Sequence, residues 1–283
     1  MPKECIICKS AERRVIFREF DIDVFRCLSC GHVYSSYEIA RDYDGYFGYE
    51  EIRDQKQAWW DKAHRPMYQD FCRHFLRGKS GRLLDVGCGL GYFLKYAAMY
   101  PSWGAEGIDV SQEAVKFARE KNGLSNVRCG RIEELSLPQG SYDIITMFDV
   151  IEHIPEPDRL LAQVGGLLKK GGMLFILTPN INLWLPLAYM QKLRYGMKPG
   201  IRYLDARDHV NMYSMKTISV ILKRNNFFRV GFVHLKPILG LGGNTHQFLV
   251  CMRVAWLYLS VLIFFLTFKR LNLDNICAVA QKR

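Results

Sequence analysis

Leu83-Leu84-Asp85-Val86-Gly87-Cys88-Gly89-Leu90-Gly91 is the stretch that decides the fold. A short apolar run of the kind that forms a buried strand stops at three alternating glycines, and helical periodicity follows. Glycines between a strand and a helix let a ligand approach the backbone and the helix N-terminus. The spacing is GxGxG, whereas the dinucleotide fingerprint is GxGxxG. Asp85 adds a charge argument, because a carboxylate beside the turn repels a pyrophosphate and favours a cationic ligand.

S-adenosyl-L-methionine, with its sulfonium and ammonium, is such a ligand. Asp109 stands twenty residues beyond Gly89 at the end of the next strand-like run, where a carboxylate can accept hydrogen bonds from both ribose hydroxyls. Outward from the turn, the pattern of strand, turn and helix repeats, which implies a largely parallel sheet with helices on both faces. Strands are expected at 82–86, 103–109, 126–129, 142–148, 173–177, 228–235 and 276–281. The fold class is therefore α/β, a Rossmann-like seven-stranded mostly parallel sheet.

The chain has 283 residues, of which 49% are hydrophobic and 24% charged, so it can bury one large core or two modest ones and is neither disordered nor collagenous. Its formal charge of +11 is local. Residues 181–283 hold 15 Lys and Arg against 3 Asp and no Glu, while the rest is near neutral.

The N-terminus, MPKECIIC, has charges and cysteines where a signal peptide needs an apolar run, which points to a reducing, cytoplasmic setting. In that setting Cys5-x-x-Cys8 and Cys27-x-x-Cys30, eighteen residues apart, suit a structural Zn2+ site in a small ribbon; four unrelated buried thiols are the other reading. Four thiolates leave no open position, so this zinc would stabilise and not catalyse. Cys72, Cys88, Cys129, Cys251 and Cys277 stand singly among apolar neighbours and are expected to be small buried hydrophobes. The domain division that follows is a zinc ribbon at 1–38, a connector with lead-in helices at 39–80 broken at Pro66, and a main domain at 81–283 with apolar and basic insertions at 181–205 and 237–273.

With LLDVGCGLG, EGIDVS at 106–111 and YDIITMFDVIEHIPEP at 142–157 in view, the sequence resembles the class I S-adenosylmethionine-dependent methyltransferases over about residues 80–235. The run Asp149-Val150-Ile151-Glu152-His153-Ile154 is similar to the branch with ubiquinone-pathway O-methyltransferases and bacterial sugar methyltransferases. The zinc segment followed by a Tyr-rich connector resembles the deoxysugar enzymes of that branch. The resemblance implies that Asp85, Gly87, Gly89 and Gly91 border the methionine part and that Asp109 holds the ribose. Val110 would lie against the adenine, Arg131 and Ile132 would close its pocket without the usual acid, and Phe148 would border the cofactor where the acceptor enters.

Asp149, Glu152 and His153 are related by i, i+3 and i+4, so on a helical turn they would face one direction. Such a group could deprotonate an acceptor hydroxyl, hold a divalent cation such as Mg2+, or merely cap the next helix and fix the loop. His209, just before an expected helix N-cap at Ser214, falls in a segment that the resemblance puts near the acceptor pocket; a hydrogen-bonded structural role is its other reading.

The acceptor expected from these features is a small or lipid-linked molecule, most simply a sugar or polysaccharide-precursor hydroxyl. A zinc ribbon with a basic surface also suits an RNA-modifying methyltransferase. Against nucleic acid stand the Phe148-Asp149-Val150-Ile151 run, which is not the Asn/Asp-Pro-Pro-Tyr/Phe of base-amino enzymes, and a ribbon that is barely basic. The basic third instead carries two apolar aromatic segments, 182–198 and 254–268, with Arg253, Lys269 and Arg270 flanking the second. The second is short for a membrane span, and a crossing would put the last strand on the wrong side. Peripheral attachment to the anionic inner face of a membrane is one expectation; a cover for the sheet is the other.

Overall fold

The computed structural model describes residues 4–37, 50–201, 203–238, 247–267, 272 and 274–283. The Tyr-rich connector expected at 41–49 lies outside these residues, as do Lys269 and Arg270 and the side chains of Cys251 and Arg253.

The central sheet has seven strands, β4 (Gly81–Val86), β5 (Trp103–Asp109), β6 (Val127–Cys129), β7 (Tyr142–Phe148), β8 (Leu168–Thr178), β10 (Phe227–Val233) and β11 (Ile276–Lys282), each overlapping an expected range, with β8 starting five residues earlier than expected. Their order is β10-β11-β8-β7-β4-β5-β6. β11 runs antiparallel to both neighbours and the other pairs are parallel. Leu83, Leu84 and Val86 are buried, as expected for a strand covered on both faces. The chain leaves β4 for β5 on one side and enters β7 on the other, so a crevice opens at the carboxyl ends of β4 and β7, the usual ligand position in such sheets.

Helix starts follow local chemistry. Ser111 accepts from the Ala114 amide at 3.2 Å, and Ser214 with Thr217 forms a reciprocal capping box, as expected at that position. Pro66 does not break the lead-in helix, which runs unbroken as α1 (Glu50–Phe75). A helix-interior proline costs about 3 kcal/mol. The same helix buries Met67, Phe71 and Cys72, and each large apolar side chain contributes roughly 1.5–3 kcal/mol, which outweighs that cost.

A second sheet is built from β1 (Arg13–Glu19), β2 (Ile22–Cys27), β3 (Val33–Ser35) and β9 (Asn211–Met212). Its first three strands form a small antiparallel ribbon that carries Cys27. The fourth comes from the main domain, so the ribbon is stitched into it: Ser35 donates from its amide to Val210 O and from its hydroxyl to Ala206 O.

The ranges expected to be insertions coincide with α5 (Ile181–Tyr195) and α7 (Gln247–Leu266). α5 follows the carboxyl end of β8, and α7 lies between the end of β10 and the start of β11, whose Ile276 pairs with Thr178. Both therefore leave the sheet at the edge that carries the glycine turn. Among the described residues no helix is long and apolar enough to cross a membrane. Cys72, Cys88 and Cys277 are buried as expected, but Cys129 is exposed because β6 is a short edge strand.

Candidate active site

On one side of the crevice the glycine turn is latched to the end of β5. Asp109 accepts from the Gly89 amide at 2.7 Å through Oδ2 and from the Ser111 amide at 2.9 Å through Oδ1. The Gly87 and Cys88 amides both donate to Ile108 O, and the Gly130 amide donates to Asp109 O. Gly87, Gly89 and Gly91 all have positive φ, and a Cβ on Gly87 would come within 2.5 Å of Val150 Cγ2. The turn thus leaves a cradle that only glycine keeps open.

Asp85 lies beneath that cradle, 2% exposed, with Thr146 Oγ1 donating to its Oδ1 at 2.7 Å. Burial, with the Asp109 charge adding and the Thr146 bond opposing, pushes its carboxyl up to about 8. A bound cation would favour its ionised form. Val110 is 43% exposed beside Asp109, Arg131 is exposed, and Ile132 is buried in the core behind them. Phe148 points into an aromatic cluster with Tyr68, Phe71, Phe93 and Phe175.

On the other side, β7 is followed by Asp149, whose φ of 54° is left-handed. The turn Ile151–His153 that follows is a 3-10 helix, tighter than the α-turn expected from the spacing. Glu152 turns inward, where Thr178 Oγ1 donates to Oε2 at 2.9 Å and Oε1 has no hydrogen-bond partner among the described residues. Burial, with Asp149 adding, raises Glu152 well above the usual carboxylate range.

His153 meets His209, with ring centroids 5.0 Å apart. His153 Nδ1 donates to Asp208 O at 2.9 Å and His209 Nδ1 donates to Leu204 O at 3.1 Å. A carbonyl only accepts, so each neutral ring carries its proton on Nδ1 and a lone pair on Nε2. Ligand atoms of Glu152, His153 and His209 all lie within 4.8 Å of one another, a grouping that omits Asp149. The set offers a proton acceptor, and the orphaned Glu152 oxygen also fits a divalent cation.

Side chains of α1, none of them among the expected site residues, also reach this region, Tyr68 against Phe148. Trp60 and His64 stack at 4.7 Å, and His64 and Tyr68 at 5.7 Å. The i, i+4, i+8 spacing of Trp60, His64 and Tyr68 was the available signal. Burial, with the charges of Asp85 and Asp149 adding, holds the Tyr68 phenol well above its usual range, so it stays a donor.

The four ribbon cysteines converge. Cys5 and Cys30 sulfurs lie 3.5 Å apart, Cys8 and Cys27 sulfurs 3.4 Å, and all four within 4.8 Å. A tetrahedral zinc with about 2.3 Å bonds needs sulfur edges near 3.8 Å. Burial pushes Cys5 up to about 11, whereas at Cys27 backbone amides of Cys30 and Ser29 and the Cys8 thiol overcome burial and lower it to about 7. Amides aimed at sulfur are the donors that a thiolate set requires.

A family model described as a methyltransferase domain matches residues 54–229. Over 140 residues the chain is 33% identical to the ubiquinone biosynthesis O-methyltransferase of Neisseria meningitidis serogroup C, covering 44% of this chain and 58% of that one. The enzyme of the same name from Coxiella burnetii is 31% identical over 144 residues, covering 47% and 61%. The chain thus spans less than two thirds of the curated relatives it matches. Among solved structures, Haemonchus contortus phosphoethanolamine N-methyltransferase 2 in complex with S-adenosyl-L-methionine superposes with a TM-score of 0.55 at 16% identity, over 86% of this chain and 60% of that one.

Proposed function

The chain belongs to the methyltransferase-domain family, and on that footing we propose that it transfers a methyl group from S-adenosyl-L-methionine to an oxygen of a small or lipid-linked acceptor, a sugar or polysaccharide-precursor hydroxyl. The observation that carries this reading is the pair of acids on one glycine turn: Asp85 beneath the cradle and Asp109 latched to Gly89. The donor supplies an electrophilic methyl at its sulfonium. The chain aligns the acceptor oxygen behind that methyl, and His153 or His209, through Nε2, takes the hydroxyl proton. If Mg2+ takes part, Glu152, His153 and His209 would hold it and it would lower the hydroxyl's pKa.

The ribbon cysteines would hold the Zn2+, in a unit of residues 1–38 joined through 39–80 to the methyltransferase domain at 81–283. The exposed apolar side chains of α5 and α7, such as Trp184, Met190, Tyr258 and Phe265, flank the same edge and suit a lipid-linked acceptor met at an anionic inner-leaflet surface. An RNA acceptor is less well served, because the ribbon spends the edge of β3 on β9.

Titration calorimetry with S-adenosyl-L-methionine tests the donor, and no heat at high micromolar concentration overturns the reading. A screen of sugar, lipid-linked and RNA acceptors with tritiated methyl donor tests the acceptor. Label recovered in RNA alone would move the assignment to the RNA class.

A further inference from the structure

The ribbon and the histidine pair are joined by a continuous set of hydrogen bonds. Glu19, at the end of β1 and only 6% exposed, accepts through Oε2 from the amides of Leu204 at 3.2 Å and Ala206 at 3.0 Å. Between them Asp205 has a left-handed φ of 54°, and the Asp208 and His209 amides both turn back to Asp205 O. That loop supplies the two carbonyls, Leu204 O and Asp208 O, that fix the Nδ1 protons of His209 and His153. Asn211, 1% exposed, accepts from ribbon His32 Nε2 at 3.3 Å and donates from Nδ2 to Ile154 O at 2.8 Å, the carbonyl next to His153.

Both histidines therefore take their orientation from backbone that the ribbon holds. On the cofactor side, Asp85, Gly89 and Asp109 are instead held by bonds within and between β4, β5 and β7 and the turn after β4.

We propose that the ribbon is a positioning element for the acceptor half of the site, with Glu19 and Asn211 as the positioning residues that set His153 and His209. The inference rests on the reading of those histidines as the acceptor-side pair. It assigns the ribbon a role inside the site, distinct from capturing a partner.

The experiment is long-range proton–nitrogen spectroscopy of the histidine rings in the full zinc-loaded chain, with His153→Gln and His209→Gln for assignment. Glu19→Gln, Asn211→Ser and Asn211→Asp are compared with the parent, and zinc content and calorimetric binding of S-adenosyl-L-methionine are measured on the same samples. The expected result is a shift of both ring signals in Glu19→Gln and Asn211→Ser, with zinc and donor binding unchanged. Asn211→Asp keeps the acceptor for His32 but loses the donor to Ile154 O, so it should shift His153 more than His209. Ring signals that stay in place in all three variants overturn the proposal. So do signals that move only where zinc and donor binding are lost too, since that would mean general collapse. Failure of the parent chain to bind the donor would instead overturn the methyl-transfer reading and leave the ring signals to be judged by themselves.

Discussion

Thr146 Oγ1 donates to Asp85 Oδ1 at 2.7 Å between adjacent strands, and so fixes a buried carboxyl two residues before Gly87. Burial first, then the Asp109 charge, pushes that carboxyl up to about 8, against about 3.9 in an unfolded chain. Between those values the folded state holds a proton that the unfolded state has released. The contribution of Asp85 to stability is thus full below about pH 4 and is lost as pH rises to about 8. Asp85→Asn is expected to raise the melting temperature at pH 8, with a smaller change at pH 4.

The same residue makes the opposite contribution to binding. A cationic donor favours the carboxylate, so donor affinity should rise from pH 6 to 8 with release of a proton. Asp85→Asn should lose this part of the pH dependence and bind about tenfold or more weakly, which is ~1.4 kcal/mol or more. Calorimetry at pH 7 in buffers of different ionisation enthalpy reads the proton directly. Equal proton release by parent and variant would show that Asp85 does not face the cation.

Gly87 is expected to tolerate no side chain. Its φ of 73° and the 2.5 Å approach of a Cβ to Val150 Cγ2 add backbone strain to a clash. Left-handed strain alone costs of order 1–3 kcal/mol. Gly87→Ala should therefore lower thermal stability and abolish measurable donor binding, while Gly87→Ala with Val150→Ala should recover part of the stability because only the clash is relieved. Equal melting temperatures for the single and double variants would contradict this geometry.

Cys8→Ser should remove the proposed zinc and destabilise the ribbon, since a segment this small cannot hold itself by burial alone. The ribbon also covers Tyr213 and the 204–211 loop, with His32 and Tyr213 rings at 5.4 Å. A loss of ~2 kcal/mol would lower the melting temperature by roughly 4–8 °C in a chain of this size. Metal analysis beside calorimetry checks both. A variant that keeps zinc and melts with the parent would remove the cysteines from the metal set.

What could be read from the sequence was what is local or periodic. The glycine turn, Asp109, the strands of the main sheet and the paired cysteines are spacing signals, and the structure places them where spacing implied. Around Asp149, Glu152 and His153 helical spacing assumes an α-turn, whereas the chain makes a tighter one that sends Glu152 inward to Thr178 while its carboxylate stays within 4.8 Å of His153. The pairing of His153 with His209, and of β3 with β9, depends on contacts between residues 56 and about 180 positions apart. No local pattern encodes such closures. Pro66 shows the converse, a local rule overridden by burial along α1.

The outward face of α7 gives the last test. Ser260 and Phe264 are fully buried against the body, with Ser260 Oγ 3.4 Å from His234 Nε2, which fixes the helix orientation. Tyr258, Leu262, Phe265 and Leu266 then point outward at i, i+4, i+7 and i+8, each more than half exposed. A helix with one face seated and an apolar opposite face gains by entering a lipid headgroup layer, and the excess Lys and Arg of residues 181–283 adds attraction to anionic lipid. The protein should co-sediment with phosphatidylglycerol vesicles at low salt and release as salt rises. Leu262→Glu with Phe265→Glu should weaken this about tenfold or more, because charge replaces buried apolar area. Melting temperature and donor affinity should stay within experimental error, since exposed substitutions usually change stability by about 0.5 kcal/mol or less. Unchanged sedimentation of the double variant would show that α7 is not the contact, and absence of sedimentation by the parent would remove the membrane surface from the account of its acceptor.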